Sequence, residues 1–279
     1  MHGESQRSAF GKLLRKRRRQ RNLTQERLAA RADLSARHVS FLETGRSDPS
    51  RASVLALSRA LDLTLRDRNL LLRSAGFAAV YPERDILDRE GSHLRSMFSF
   101  LLARHEPFPG FVWDRAWTVR MHNDAAVKVL GWLLGDPGGT AESEERASLV
   151  GTNLLDVFFD PARLRPLVEN FEAAGRFLWE RLEEQIALDP ASEELRALRG
   201  RIEEYGPIPP LEALPEAELR ADAPALSIHL RKDGTDLRLF SFLVTVAAPQ
   251  VVSLQEVRME TLLPADEESE RVLRRVSDA

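Results

Sequence analysis

Residues 23–43 contain two helix start signals only eleven residues apart. Thr24 and Ser35 are good N-caps, because a side-chain hydroxyl there accepts a hydrogen bond from an unpaired backbone N–H of the first helical turn. Leu23 and Leu34 precede these caps, where an apolar residue packs against the first turns of the helix that follows. The segment is therefore predicted to fold as two short helices, of about two turns each, joined by a tight turn.

The apolar residues of this segment follow helical spacing, which predicts one buried face on each helix. That face comprises Leu28, Ala29, Ala32, Val39 and Leu42. The opposite face of the second helix carries Ala36, Arg37, Ser40 and Phe41. A bare helical hairpin does not need Arg and Phe on an outward face. A helix in a DNA major groove uses both, since Arg binds guanine O6 and N7 and an aromatic ring packs on a thymine methyl.

Two further motifs flank the helices. Thr24-Gln25 opens the first helix, and Glu43-Thr44-Gly45-Arg46 follows the second. With these motifs, residues from about 8 to 76 resemble the five-helix domain of phage-repressor-like (Xre-type) helix-turn-helix regulators. One position departs from the pattern, because the turn carries Asp33 instead of the usual Gly. Asp tolerates the left-handed conformation better than most residues, so we expect the same turn at a cost of at most about 1 kcal/mol.

This resemblance implies binding to double-stranded DNA and assigns roles to individual residues. The residues expected at base edges are Ala36, Arg37, Ser40 and Phe41. The residues expected at phosphates are Gln25, Ser35, Gly45, Arg46 and Arg51. Arg37 is the foremost candidate for sequence readout. The alternative is that the module binds RNA or protein.

Charge is distributed unevenly along the chain. Residues 1–80 hold 17 Lys and Arg against 7 Asp and Glu, a net of +10, whereas residues 81–279 hold 23 against 36, a net of −13. A basic N-terminal segment suits phosphate neutralisation, and an acidic remainder should repel DNA. The run from Arg15 to Arg21 has two interpretations, as a DNA-facing cluster or as solvated cations at a helix C-terminus.

The 279 residues are comfortable for two domains. Composition breaks predict a DNA-binding domain over 1–80, a connecting helix over 81–105, a second domain over 106–266 and a C-terminal helix or tail over 267–279. The connecting helix has a surplus of apolar residues, which favours a homodimer through this helix. Ordinary core packing is the alternative.

The second domain is predicted to contain two short strands around a break at Asp114-Arg115, then helices, then three strands over 225–231, 237–247 and 251–260. One helix is expected to run from Asp160-Pro161 to about Leu188. The fold class is therefore α+β, with an all-α helix-turn-helix domain followed by an antiparallel sheet with packed helices. The order of elements is PAS-like.

Several short motifs make the second domain more particular. They include Trp113-Asp114-Arg115-Ala116-Trp117, Leu254-Gln255-Glu256-Val257-Arg258 and Leu263-Pro264-Ala265-Asp266. Residues from about 106 to 266 resemble the ligand-binding domain of MmyB-like transcription regulators. The resemblance implies a pocket for a small hydrophobic, fatty-acid-like molecule. The candidate lining residues are Phe111, Trp113, Trp117, Phe158, Phe171, Phe240 and Phe242, each of which has simple core packing as its alternative.

Other chemistry finds little support in the sequence. The chain has no cysteine, and its six histidines lack metal-ligand spacing, so we expect no metal site, no other cofactor and no catalytic residues. No apolar run has the length of a membrane span, so we expect a cytoplasmic protein without a membrane partner. The sequence thus predicts a homodimeric regulator that reads an inverted-repeat operator and senses a hydrophobic ligand. In the alternative, the second domain is only a dimerisation or protein-docking scaffold.

Overall fold

The chain folds into two compact units. The computed structural model describes residues 2–83, 87, 93–135, 148–189, 192–210, 226–246 and 251–279. The first unit comprises Met1–Asp85 together with Val246–Gln255, and the second comprises Ile86–Thr245 together with Glu256–Ala279. The sequence places residues 246–255 in the C-terminal domain, whereas the structure groups them with the N-terminal one.

Five helices form the body of the first unit. They are α1 (His2–Gln20), α2 (Gln25–Ala32), α3 (Ala36–Glu43), α4 (Arg51–Ala60) and α5 (Leu65–Ser74). The two predicted N-caps are confirmed, since the Thr24 hydroxyl accepts from the N–H of Arg27 and the Ser35 hydroxyl from that of His38. Asp33 adopts the expected left-handed conformation, with φ of 54° and ψ of 47°.

The five residues predicted to face inward on α2 and α3 are all buried, together with apolar residues of α1, α4 and α5. The closest approach between helices lies at Gly11 of α1. A Cβ atom at this position would lie 2.6 Å from the carbonyl oxygen of Glu43. Only glycine therefore lets α1 pack this closely against the end of α3.

Two arginines of the basic run are buried in ion pairs. The Arg18 guanidinium donates from Nε to Oε1 of Glu43 at 2.6 Å and from a terminal nitrogen to Oε2 at 2.9 Å. Gln25 donates to the same Oε2 at 2.8 Å. Arg17 pairs with Asp67 of α5. Neither interpretation of the run from Arg15 to Arg21 therefore holds for Arg17 and Arg18, because the inward face of α1 turns both toward buried carboxylates.

A part of the C-terminal sequence completes the first unit. The side-chain oxygen of Gln255 accepts from the backbone N–H of Leu65, the first residue of α5, at 2.6 Å. The N–H of Val252, which is fully buried, donates to the carbonyl of Pro82 at 2.9 Å. The segment therefore satisfies an N–H group at the start of α5 that has no partner within the helix.

The second unit contains a five-stranded antiparallel sheet of order β2-β1-β5-β4-β3. The strands are β1 (Gly110–Trp113), β2 (Val119–His122), β3 (Leu226–Lys232), β4 (Thr235–Val244) and β5 (Arg258–Pro264). This arrangement confirms the α+β class. The last strand in sequence is the central one, and Glu260 on it lies between Phe111 of β1 and Leu243 of β4.

Six helices of the described residues lie wholly in the second unit. They are α6 (His93–His105), α7 (Asp124–Leu134), α8 (Leu154–Phe159), α9 (Phe171–Leu188), α10 (Glu193–Glu204) and α12 (Glu267–Asp278), while α11 (Val252–Glu256) spans the boundary between the units. Asn123, Asn153 and Asp266 cap α7, α8 and α12 through their side chains. No helix in the described ranges combines the length and apolarity that crossing a bilayer requires.

The long helix predicted from Asp160 starts later than expected. Helix α8 ends at Phe159, a 3-10 turn follows at Arg165–Leu167, and α9 begins at Phe171. The Asp160 carboxylate accepts from the N–H of Ala162, which closes a local turn instead of a helix. Val168 then bridges to Leu230 of β3.

The strand predicted over 251–260 is also corrected. The valines at its start favour a strand by propensity, yet the structure forms α11 there and begins β5 at Arg258. The N–H of Gln255 donates to the carbonyl of Val251 in a helical turn. Tertiary hydrogen bonding has overridden the local preference.

The Glu43 carboxylate should make the stability of the first unit depend on pH. Burial raises the pKa of Glu43, but hydrogen bonds from Arg18 and Gln25 outweigh that effect and hold the pKa below its usual value. We expect Glu43→Gln to lower the free energy of unfolding by about 3 kcal/mol at pH 7, because the charge of Arg18 stays buried without its partner. Urea unfolding followed by circular dichroism measures the difference.

The pH dependence supplies the sign. The ionised carboxylate stabilises the fold fully above the pKa of unfolded Glu, about 4.3, and this contribution is lost as pH falls through the lowered pKa of the folded state. The difference between wild type and Glu43→Gln should therefore shrink in acid. Glu26→Gln, at an exposed position of α2, is the control and should cost less than about 1 kcal/mol. Equal losses in the two variants would contradict the interpretation.

Candidate DNA-binding surface and ligand cavity

The outward face of α3 carries a stacked pair of side chains. Arg37 and Phe41 lie one turn apart, and the guanidinium carbon of Arg37 is 5.2 Å from the centroid of the Phe41 ring. A cation over an aromatic face is attracted by the negative face of the ring, so the pair forms one surface. Ala36 and Ser40 lie on the same side of the helix and are partly exposed. The structure thus brings the four residues expected at base edges together.

Three of the residues expected at phosphates lie at helix N-termini. Gln25 is the first residue of α2, Ser35 is the N-cap of α3 and Arg51 is the first residue of α4. A helix N-terminus favours anions, because its first N–H groups lack intrahelical partners and carry the positive end of the helix dipole. These positions suit phosphate contacts through the backbone as well as through side chains.

Gly45 and Arg46 follow α3. Gly45 has φ of 72°, and its N–H donates to the carbonyl of Leu42 while the N–H of Arg46 donates to that of Phe41 at 2.8 Å. This pattern is a Schellman motif, which by itself requires glycine or a similar residue at this position. The glycine therefore has a structural explanation without DNA, whereas the Arg46 side chain is exposed.

Glu43 ties Gln25 to the core. One N–H of the Gln25 amide donates to Glu43, and the amide has a second N–H group. The contact fixes the orientation of a side chain that is expected at a phosphate. Sequence reasoning missed this network, although a Glu in the last turn of a helix is unfavourable to the helix dipole and signals a need for a cationic partner.

A hydrophobic cavity of about 100 Å³ lies in the second unit. Its lining residues come from one face of the sheet and from α7, α8 and α9, and all except Glu260 are hydrophobic. They are Pro109, Phe111, Trp117, Ala126, Val129, Leu130, Leu133, Leu154, Leu155, Val157, Phe158, Leu164, Leu178, Leu226, Ile228, Leu230, Leu239, Glu260 and Leu262.

Five of the seven candidate aromatic residues lie at or next to this cavity. Phe111, Trp117 and Phe158 line it. Trp113 lies behind Trp117, with stacked rings whose centroids are 4.4 Å apart, and Phe171 stacks on Phe158 at 5.8 Å. Trp117 does not belong to the second strand, as the sequence suggested, but to the turn before it, where it has φ of 65°.

Phe240 and Phe242 lie on the other face of the sheet. The cavity side of β4 is occupied by Leu239, which lines the cavity, and by Ser241, which is buried. Side chains alternate along a strand, so the two phenylalanines point away from the cavity, and Phe242 is 41% exposed. The aromatic run of β4 shares one face as predicted, but the cavity lies against the opposite face.

Glu260 is the one charged residue in the cavity wall. Its Oε2 accepts from the indole N–H of Trp113 at 3.1 Å, and its Oε1 accepts from the Ser241 hydroxyl at 2.5 Å. Burial raises the pKa of Glu260, although the two hydrogen bonds and the charge of Arg181 oppose the shift. Sequence reasoning missed this residue because it ended the predicted strand at Glu260, whereas the residue lies in the middle of β5.

Arg181 of α9 completes a layered arrangement beside the cavity. Its guanidinium carbon is 5.3 Å from the Trp117 ring, whose other face is available to Trp113, and the Trp117 indole N–H donates to Gln185 at 2.8 Å. Burial lowers the pKa of Arg181, and the charges of Glu260 and Glu184 oppose this. Arg181 itself is absent from the cavity lining.

A second cavity, of about 590 Å³, is polar and open. Its charged side chains pair with each other: Asp156 accepts from Arg201 at 2.8 Å, and Asp160 lies 3.5 Å from Arg163. This cavity lacks the hydrophobic wall of the first one. The first cavity is therefore the better candidate for an apolar ligand.

Comparison with known proteins agrees with both parts of the structure. Residues 94–276 match the MmyB-like transcription regulator ligand binding domain, and residues 14–67 match the helix-turn-helix family. The first match runs from α6 to α12 and includes the whole sheet, and the second runs from α1 to α5. A search of curated proteins finds no match. The matched families are domains of transcription regulators, not of enzymes. The chain is a DNA-binding transcription regulator, and it belongs to the MmyB-like family.

Proposed function

We propose that the chain acts as a homodimer that reads an inverted-repeat operator in double-stranded DNA and whose affinity for this operator changes when a small hydrophobic, fatty-acid-like molecule binds in the second unit. The observation that carries the proposal is the cavity of about 100 Å³ with an almost wholly hydrophobic wall. Hydrophobic pockets with few polar groups are typical of small-molecule sites.

The α3 surface supports sequence-specific reading of DNA. Arg37 is exposed on the same face as Phe41, near the N-terminal end of the helix, which is the end that contacts bases in helix-turn-helix proteins. Arg46 and Arg51 flank this face and are exposed. Base contacts thus come from the helix face and phosphate contacts from its surroundings.

Helix α6 supports the homodimer. Met97, Phe100 and Leu101 are 43%, 60% and 36% exposed, and Arg104 lies over the Phe100 ring at 5.3 Å. Their spacing forms one stripe along the helix. A large apolar stripe on a surface marks an interaction site, and a second copy of the chain would bury it. Two copies would present two α3 helices to half-sites about one turn of DNA apart.

The size of the cavity bears on the ligand. An engineered cavity of about 150 Å³ takes benzene, so a cavity of about 100 Å³ must widen to admit a longer chain. Each methylene group that enters is worth about 0.8 kcal/mol. A ligand that prefers the widened form shifts the population toward it, and this preference is the source of any change in DNA affinity.

A second candidate function is favoured by the same α6 stripe. If dimerisation is the whole role of the second unit, the domain is a scaffold and the cavity stays empty. The two candidates agree on DNA binding and on the homodimer but differ on the ligand, so a ligand test separates them.

Arg37 and Arg46 should differ in their effect on DNA binding. We expect Arg37→Ala to cost about 1 to 3 kcal/mol and to relax specificity at one base position, because a base contact is lost. Arg46→Ala should weaken all sequences alike and reduce the salt dependence by about one phosphate contact. Binding titrations on a library of operators at several salt concentrations make the comparison. A module for RNA or protein would show no loss of DNA binding in Arg37→Ala.

Phe100→Glu should dissociate the dimer, because it places a charge in the apolar stripe. Sedimentation equilibrium measures the association, and we expect at least tenfold weaker self-association, since burying an unpaired charge is costly. Ser99→Glu is the matched control, as Ser99 is an exposed neighbour on another side of α6. A dimer that survives Phe100→Glu and Ser99→Glu equally places the interface elsewhere.

Filling the cavity should abolish ligand binding. Ala126 lines the hydrophobic cavity, so Ala126→Leu occupies part of its volume. We expect a panel of fatty acids and alcohols of increasing chain length to raise the melting temperature of the wild type but not of this variant. Ala197→Leu makes the same change in the polar cavity and should respond like the wild type. Solvent extracts without bound lipid, together with no thermal shift for any compound, favour the scaffold.

A further inference from the structure

We infer that the ligand of the hydrophobic cavity has an apolar body and a hydrogen-bond-donating head group, best a protonated amine, which binds the carboxylate of Glu260. This inference rests on the proposed function, because it names the chemical class of the proposed ligand. The resemblance to MmyB-like regulators leaves the polar anchor of the pocket open, and the structure offers one at a defined place.

The position of Glu260 carries the first step. The residue lies on the central strand β5, on the face shared with Phe111 and Leu262, both of which line the cavity. Glu260 retains partial solvent exposure and is itself part of the cavity lining. A molecule that enters the cavity therefore meets one charged group in an otherwise hydrophobic wall.

The bonding of the carboxylate carries the second step. An ionised carboxylate offers about four acceptor positions, and Trp113 and Ser241 each occupy one. Both partners are neutral, so neither compensates the charge. An ionised group in apolar surroundings is costly unless a cation pairs with it. A ligand donor that reaches Glu260 finds remaining acceptor positions and a charge that it can neutralise.

Arg181 does not fill this role. It acts on Glu260 through its charge, but its guanidinium lies over the Trp117 ring and outside the cavity lining. Trp117 does line the cavity, and the ring thus lies between the guanidinium and part of the cavity. The charge of Arg181 favours ionisation of Glu260 without occupying its acceptor positions.

The same geometry discriminates between head groups. A carboxylate ligand would bring a second negative charge beside Glu260, whereas an alcohol donates one hydrogen bond and an ammonium group donates up to three. The small cavity favours a short apolar body. For a common hexyl chain we therefore expect affinity to fall from the amine to the alcohol to the carboxylate.

The test compares hexylamine, hexanol and hexanoate by calorimetric titration into the full-length protein. Hexylamine should bind tightest to the wild type. Glu260→Gln should weaken hexylamine at least tenfold and change hexanol by less than about threefold, since a charged hydrogen bond is lost only with the amine. The variant should stay folded, because the Gln amide oxygen still accepts from Trp113 or Ser241. Its circular dichroism and melting curve check this.

Leu262→Ala is the control for the wall of the cavity. Leu262 lines the cavity two residues from Glu260 on the same face of β5. The variant removes apolar contact without touching the carboxylate, so it should change the affinities for all three compounds by a similar factor. A selective effect on hexylamine in this variant would contradict the role of Glu260 as the anchor.

The outcomes separate the two proposals. If no compound binds the wild type, including the longer chains of the fatty-acid panel, the proposed ligand function fails. If all three hexyl compounds bind alike and Glu260→Gln changes nothing, the ligand function stands and this inference is overturned. If hexanoate binds tightest and Arg181→Gln removes that preference, the anchor is Arg181, which also overturns the inference.

Discussion

The shape of the DNA-binding unit depends on one buried carboxylate. Glu43, at the end of α3, accepts hydrogen bonds from Arg18 of α1 and Gln25 of α2, so three helices converge on two oxygen atoms. Gly11 permits the close packing of α1 that this convergence needs. A helix in DNA must be held rigidly, because base contacts tolerate little displacement. The ion pair thus fixes the recognition face of α3 without contributing a single atom to it.

The second unit treats a buried carboxylate differently. Glu43 is paired with a guanidinium, and its pKa is lowered, whereas Glu260 is held by two neutral donors, and its pKa is raised. A paired carboxylate is a finished structural element. A carboxylate that keeps acceptor positions open toward a cavity remains able to bind something else. This difference explains why one glutamate belongs to the framework of its unit and the other to a candidate site.

Local signals predicted the helix-turn-helix well, and nonlocal ones limited the prediction of the second unit. Thr24, Ser35 and Asp33 act within a few residues of themselves, so caps and turn could be read from the sequence and are confirmed. The helix at Val252–Glu256 depends on a hydrogen bond to Pro82, which no local pattern reveals. Strand alternation indicated that Phe240 and Phe242 share a face, but only the packed helices decide which face borders the cavity. For the same reason the sequence concealed Glu260.

The segment Val246–Gln255 makes the first unit discontinuous in sequence. The chain leaves that unit near residue 85, returns to it between β4 and β5, and leaves it again, so three peptide connections join the units. A fragment that ends at residue 85 lacks Gln255, the partner of the Leu65 N–H at the start of α5, and the buried side chain of Val252. A single proteolytic cut near residue 85 would consequently leave two pieces still held together by the fold. In this protein the boundary between DNA-binding and ligand-binding parts is a matter of topology, and no one position in the sequence marks it.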